Sequence, residues 1–319
     1  MNVLFFASGA FAIPTFDRLR QSSHAIVGVV SQPDRPAGRG RTLTPTPLAA
    51  HAAALGYAVQ KSDNVNAVDF IAWAAARQAD VIVAIAFGQK LSDALLAVAT
   101  LGGINLHGSL LPAFRGAAPV HAAILSGASV TGVTVIRLSN IMDGGDILAS
   151  GEVPIGDDQT AGELLDALAD AGAGLVPAVL DKFAAGNTAG TPQRLELVSK
   201  APKLSRAMGW VNFSATAAAV SAGIRGLSPW PGCSIRFIAP DGIKTIDAHA
   251  LKCRVVDVRS PSAAGTVLEG LRIACGTGAV ELLTIVPLGR KQMDMRAFAN
   301  GYGLKPGWMA CSSPPEIRS

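Results

Sequence analysis

The sequence predicts an α/β protein: a mostly parallel, Rossmann-like sheet with helices on both faces, followed by a smaller C-terminal β-barrel of the OB-like kind. Three observations predict it. Through the N-terminal half, short and nearly continuous apolar runs alternate with longer helical patterns, as in a parallel sheet buried on both faces. Beyond residue 207 one helical segment is followed by short strand-like stretches punctuated by Gly and Pro, the pattern of a small barrel. Between the two lies a stretch rich in Gly, Thr and Pro with little periodicity, which reads as a linker. The expected organisation is a domain at 1–186, a linker at 187–206 and a barrel at 207–319.

The first strand is expected at 3–7 and starts almost at residue 1, in Asn2-Val3-Leu4-Phe5-Phe6-Ala7. Others are expected at 26–30, 81–86, 103–106 and 133–138. Helices are expected between them, at 14–20, 47–55, 68–77 and 117–125, with one long helix at 161–184. In the second half a helix is expected at 214–225. Strands are expected there at 233–238, 243–250, 253–258, 265–269, 271–274 and 280–287. In sheets of this class ligands bind beyond the C-terminal ends of the strands. The segments after residues 7, 30, 86, 106 and 138 are therefore the places to look for a site.

Composition narrows the function classes. Half of the 319 residues are hydrophobic and 16% are charged, so a large core is available and global disorder is not expected. No apolar run approaches the ~20 residues needed to span a bilayer. The N-terminus has neither a basic leader nor an Arg-rich amphipathic one, so a cytoplasmic protein without a membrane partner is expected. Four cysteines, Cys233, Cys253, Cys275 and Cys311, lack zinc-ligand spacing; no metal is expected, and free thiols are. Charge is uneven. Residues 1–202 carry 13 Lys/Arg and 16 Asp/Glu, net −3, whereas residues 203–319 carry 14 and 7, net +7. A polyanion held by the second domain explains this as well as a solvated basic surface does.

Chemistry concentrates in Gly103-Ile104-Asn105-Leu106-His107-Gly108-Ser109-Leu110-Leu111-Pro112. Strand alternation puts Asn105 and His107 on one face and turns Leu106 to the other. Two polar side chains at the end of a buried strand are costly unless satisfied or used. A single histidine in such a place is more often a core residue satisfied by a neighbour. Downstream, Asp143-Gly144-Gly145-Asp146 is either a plain turn or the source of a carboxylate that orients a histidine. The turn after the first strand, Ala7-Ser8-Gly9-Ala10-Phe11-Ala12, lacks Gly-x-Gly-x-x-Gly, so dinucleotide binding is not expected.

The segment from Ile104 to Pro112, followed by Arg115-Gly116-Ala117-Ala118-Pro119, resembles the active-site strand and loop of the methionyl-tRNA formyltransferase family. The wider group comprises the formyltetrahydrofolate-using transferases and hydrolases. The resemblance covers residues 3–308 and is strongest at 26–47 and 102–125. It implies a catalytic set of Asn105, His107 and Asp143. It implies 10-formyltetrahydrofolate as co-substrate, bound by Ser109, Leu110, Leu111 and Pro112, by Phe87, Gln89, Lys90 and Leu91, and by Asn140. Three positions depart from the family's pattern: Gly144 replaces Thr, and Ser139 and Ile141 stand where Asp and Gly are usual. The chemistry suits the residues. Formyl transfer to an amine passes through a tetrahedral oxyanion, to which an amide such as that of Asn105 can donate. His107 can stabilise that oxyanion or move protons.

After the second expected strand comes Ser31-Gln32-Pro33-Asp34-Arg35-Pro36-Ala37-Gly38-Arg39-Gly40-Arg41, read as a flexible basic loop. Arginines in such a loop can pair phosphates and stack on splayed bases. The loop resembles the family's tRNA-recognising insertion. Lys203-Leu204-Ser205, Ser228-Pro229-Trp230-Pro231-Gly232 and Val286-Pro287-Leu288-Gly289-Arg290-Lys291 resemble other family elements. The resemblance thus implies initiator methionyl-tRNA as partner, met by Arg35, Arg39, Arg41, Lys203, Arg290 and Lys291, and a monomeric protein. Two rivals remain: formyl transfer to an amino sugar, and an RNA-binding protein without activity on the same scaffold.

Overall fold

The structure is a computed structural model and describes residues 1–38, 40–258 and 262–313. In chain order the strands of the first half are β1 (Asn2–Ala7), β2 (Ala25–Ser31), β3 (Arg35–Ala37), β4 (Thr42–Thr44), β5 (Val59–Lys61), β6 (Val81–Ile85), β7 (Gly103–His107), β8 (Arg115–Gly116), β9 (Val130–Arg137) and β10 (Ile147–Pro154). The helices are α1 (Ile13–Arg20), α2 (Pro47–Ala54), α3 (Val68–Ala75), α4 (Asp93–Leu96), α5 (Pro119–Leu125), α6 (Ala161–Gly172) and α7 (Leu175–Ala184). Two compact units make up the described chain, and neither is continuous in sequence. The first comprises 1–116, 132–153 and 165–200, and the second 117–131, 154–164 and 201–319.

The first unit is built on a seven-stranded sheet in the order β10-β9-β7-β6-β1-β2-β5. β1 pairs in parallel with β2 on one side and β6 on the other, and β6 pairs in parallel with β7. The strand order therefore reverses beside β1, where such sheets open a ligand crevice. Alternation along β1 explains the helices on both faces. Phe5 meets Phe16 of α1 edge-on at 5.4 Å, and the next residue, Phe6, meets Phe70 of α3 at 6.1 Å.

Several expectations need correction. β9 runs antiparallel to β7, so the segment after residue 138 does not start at the edge shared by the parallel strands; it has to fold back to reach it. The long helix expected at 161–184 is two, α6 and α7, separated by a turn at residues 173 and 174. Gly172, the last residue of α6, lies against Leu106 of β7, where a Cβ would come within 2.7 Å of the Leu106 side chain. The basic segment after β2 is no irregular loop: β3 and β4 pair antiparallel as a hairpin. β5, α4 and β10 are too short or too exposed to register as periodic runs.

Beyond α7 comes β11 (Lys200–Ala201), and in the second unit follow α8 (Ala217–Gly226), β12 (Cys233–Ile238), β13 (Thr245–Val256), β14 (Arg272–Ala274), β15 (Ala279–Pro287), β16 (Met293–Asp294), α9 (Met295–Tyr302) and β17 (Met309–Cys311). The sheet order is β14-β15-β13-β12-β17, with β16 on β15. Bridges from Val267 to Ile273 and from Thr266 to Met309 join the two outer strands, so the antiparallel sheet nearly closes into a barrel. The expected strands at 243–250 and 253–258 are one, β13, with register shifts between Ala250 and Cys253. α9, unexpected from the sequence, is capped by the Asp294 side chain and stopped at left-handed Gly303. Among the described residues no helix is long and apolar enough to cross a membrane.

Candidate active site

Hydrogen bonding to both neighbours fixes β7. Asn105 lies opposite Ala84 of β6 and Ile136 of β9, and His107 lies opposite Thr134. Leu106 points to α6, as the alternation predicts. The His107 side chain is buried. Its Nε2 lies 3.0 Å from the carbonyl oxygen of Phe114. A carbonyl only accepts, so Nε2 carries the proton. Nδ1 faces Asp143 Oδ1 at 3.7 Å, too long for a hydrogen bond. The other carboxylate oxygen, Oδ2, accepts the Gly116 N–H at 2.8 Å. Asn105 is half-buried, and its side-chain amide has no hydrogen-bond partner among the described residues. Phe114 and Asp143, the two residues that face the imidazole, have φ of 61° and 52°. Left-handed backbone at non-glycine residues is uncommon and collects at functional sites.

The loops expected to hold a pterin use their side chains unequally. Ser109 is fully buried and donates its hydroxyl to Ala113 O at 2.6 Å, while its carbonyl accepts from Thr134 Oγ1 at 2.7 Å. It shapes the loop from within. Leu110 packs on Gly132, Leu111 is buried, and Pro112 is half-buried. The Phe87 ring packs on Phe6, and its carbonyl accepts from Ser8 and Gln32. Both ends of the Gln89 amide are held, by Val65 N and Ser62 O, so Gln89 braces its loop. Leu91 is buried. Lys90 Nζ reaches Asn140 O at 3.4 Å and ties the loop after β6 to the loop after β9.

Sequence reasoning missed the residues that hold the Asp143 loop. Gln193, in the segment read as linker, is buried and bonds to Asp143, Gly145 and Arg115. Ser199 Oγ accepts the Phe114 N–H at 2.8 Å. The available signal was Thr191-Pro192-Gln193, a polar amide among turn formers with no periodicity to place it. Ile141 and Gly144 are coupled: a Cβ at 144 would stand 2.5 Å from Ile141 Cγ2 and 2.9 Å from Ile141 Cβ. Among the described residues no group of three His, Cys, Asp or Glu could hold a metal ion.

The basic candidates lie apart from this cluster in sequence. Arg35 sits on β3, exposed, 3.6 Å from the equally exposed Asp63. Arg41 is exposed in the hairpin turn with φ 48°. Arg39 lies outside the described residues. In the second unit Lys203 is exposed, as are Arg290 and Lys291 in the turn after β15. These three have no carboxylate partner among the described residues.

Comparison with known proteins places these features in context. Residues 1–180 match the formyl transferase family, and residues 203–303 match the formyl transferase C-terminal domain. The chain is 39% identical over 310 residues to the methionyl-tRNA formyltransferase of Acidiphilium cryptum, covering 96% of this chain and 99% of that one. It is 35% identical over 311 residues to that of Moorella thermoacetica, covering 96% and 98%. Among solved structures, a sugar 3N-formyl transferase crystallised with dTDP and 5-N-formyl-THF shares the fold. It aligns with a TM-score of 0.63 at 14% identity, covering 91% of this chain and 99% of that one. HypX from Aquifex aeolicus in complex with tetrahydrofolic acid aligns with a TM-score of 0.63 at 15% identity, covering 94% of this chain and 47% of that one.

Proposed function

The chain belongs to the formyl transferase family, and on that premise we propose that it moves the formyl group of 10-formyltetrahydrofolate to the amino group of methionyl initiator tRNA. The products are tetrahydrofolate and formylmethionyl-tRNA. The observation that carries the reading is the cluster at the end of β7: an unpartnered Asn105 amide beside a His107 ring whose two nitrogens face Phe114 O and Asp143 Oδ1. The substrate amine bonds to the formyl carbon, and the carbon's bond to the folate nitrogen breaks. One proton leaves the amine and one is taken up by the departing nitrogen. Between these events the formyl oxygen carries negative charge. Asn105 donates its N–H to that oxygen, and His107 stabilises it or relays the proton. Asp143 holds the ring in position. Residues 86–91, 109–112 and 140–143 form the folate walls. Arg35 and Arg41 of the hairpin and Arg39 between them in sequence, with Lys203, Arg290 and Lys291 of the second unit, meet the tRNA. The protein works as a cytoplasmic monomer.

The test is direct: incubate the protein with formyl-folate and charged initiator tRNA and measure formylmethionine. Asn105→Ala is expected to lose about 10²–10³ in turnover, as for a lost oxyanion donor. His107→Ala is expected to lose most turnover as well. Both variants should bind tRNA as the wild type does. Formylation of amino-sugar nucleotides with none of charged tRNA would overturn the choice of acceptor. Near-normal single-turnover rates in either variant would overturn the choice of site.

A further inference from the structure

We propose that Gln193 is a positioning residue that sets Asp143 against His107. The inference rests on the catalytic reading of Asp143 given above. Gln193 is 50 residues from Asp143 in sequence and is 9% exposed. Its Nε2 donates to Asp143 O at 2.8 Å and to Gly145 O at 2.7 Å. Its Oε1 accepts from Arg115 Nε at 3.1 Å and from Arg115 Nη2 at 2.7 Å. A primary amide has two N–H donors and an oxygen with two lone pairs, so every site on this one is used. The environment also dictates its orientation. Turned over, it would aim its N–H bonds at a guanidinium and its oxygen at two carbonyls.

The geometry makes this more than loop packing. Asp143 holds a left-handed conformation, φ 52°, which a β-substituted residue keeps only where its surroundings over-determine it. The amide takes the Asp143 and Gly145 carbonyls; the first bond fixes the peptide plane that follows Asp143, and the second pins the loop two residues on. Gly116 N–H then donates to one carboxylate oxygen, and the other faces His107 Nδ1. Arg115 and Gly116 are adjacent. A single strand, β8, thus holds the carboxylate directly through one backbone N–H and its loop indirectly through Gln193. Among the described residues no hydrogen bond joins Gln193 to His107 or Asn105; its amide reaches the imidazole through Asp143 on one side and through Arg115, next to Phe114, on the other, and Gln193→Glu tests the Asp143 arm.

Gln193→Glu separates the two halves of this clamp. The carboxylate keeps the size and the bond to Arg115, but it has no N–H for Asp143 and Gly145 and sets an anion against their carbonyls. The expected result is a fall of ~10–100-fold in kcat, as for a sub-ångström to 1 Å misplacement of a reacting group. KM for tRNA should stay within about twofold, since none of the residues proposed to meet it is lost. Arg115→Lys, which removes the planar fork from Oε1, serves as a second variant and should lose kcat in the same sense with unchanged KM for tRNA. The deciding comparison is made in an Asp143→Asn background. There Gln193→Glu should cost little further, because residues acting through one another are not additive. A full additional loss in that background overturns the proposal, as does wild-type kcat in Gln193→Glu while Asp143→Asn is crippled. If Asp143→Asn itself retains turnover, the catalytic reading of Asp143 fails, and the role of Gln193 fails with it. Circular dichroism and thermal unfolding of each variant separate these outcomes from misfolding.

Discussion

Position 144 shows how a single residue can be read only with its neighbour. On the family pattern a threonine stands there and a glycine stands at 141. Here the sizes are exchanged, and the Ile141 side chain occupies the space a Cβ at 144 would need, 2.5 Å from Cγ2. Gly144→Thr alone should therefore push the loop that carries Asp143. The expected cost is about 1–3 kcal/mol, as for overpacking, with kcat reduced in the same assay. The double variant Ile141→Gly, Gly144→Thr should recover most of both. If Gly144→Thr is silent by itself, the two sites are independent and the exchange is incidental. The cysteines give a second prediction. Burial pushes the Cys233 and Cys253 thiols up to about 12 and the Cys275 thiol up to about 11. The thiolate is the reactive form, so these three should resist iodoacetamide at pH 8 in the folded protein. Mass spectrometry should find modification only at half-buried Cys311; early labelling of Cys253 would mean that the barrel core opens readily.

Among the elements, α6 begins with a reciprocal cap. Glu163 Oε2 accepts the Thr160 N–H at 2.8 Å, and Thr160 Oγ1 accepts the Glu163 N–H at 3.3 Å. The sequence shows this as Thr-x-x-Glu. The structure adds Lys252, whose Nζ lies 2.8 Å from Glu163 Oε1. Desolvation works to raise the Glu163 pKa, but the bonds from Lys252 and Thr160 outweigh it and hold the carboxyl below its ordinary value. A carboxyl depressed in the folded state stabilises above its unfolded pKa, and that contribution is lost as pH falls through the folded one. Glu163→Gln should thus be less stable than wild type near pH 7, and the gap should narrow as pH drops below the carboxylate range. Denaturant titrations at pH 7 and at pH 3 decide it. A gap that widens in acid would show that the glutamate is held for shape rather than charge. Thr160→Ala should cost about 1 kcal/mol near pH 7 and less at pH 3, where its hydroxyl no longer meets a charged carboxylate.

At the scale of the whole molecule, what was legible in the sequence is what depends on local periodicity or on adjacent residues. The apolar runs of β1, β6 and β7 mark a sheet buried on both faces, and Asn105 and His107 stand two apart on one strand. The hidden part depends on long-range pairing. Gln193 makes its bonds to carbonyls 48 and 50 residues away, and a polar residue in an aperiodic stretch carries no mark of that. The second unit is likewise interrupted in sequence, since it takes in 117–131 and 154–164. Within it Leu125 of α5 packs on Gly226 of α8, and Ala118 lies in the core with Phe237 and Phe298. Cutting the chain near residue 187 would strip α5 of that core, so truncation is a poor test of what the basic half does. Charge removal within the intact protein is the better one. Lys203, Arg290 and Lys291 are exposed, so changing all three to Ala leaves the barrel interior untouched. If they contact phosphates, log Kd for tRNA should depend less steeply on log salt, by ~0.7–0.9 for each contact removed. Single-turnover formylation with tRNA in saturating excess should stay near normal, because these residues attract the substrate without touching the reacting atoms. An unchanged salt slope in the triple variant would make the net +7 of residues 203–319 a solvated surface. The attraction would then have to come from the β3–β4 hairpin, where Arg35→Ala and Arg41→Ala should show the missing slope.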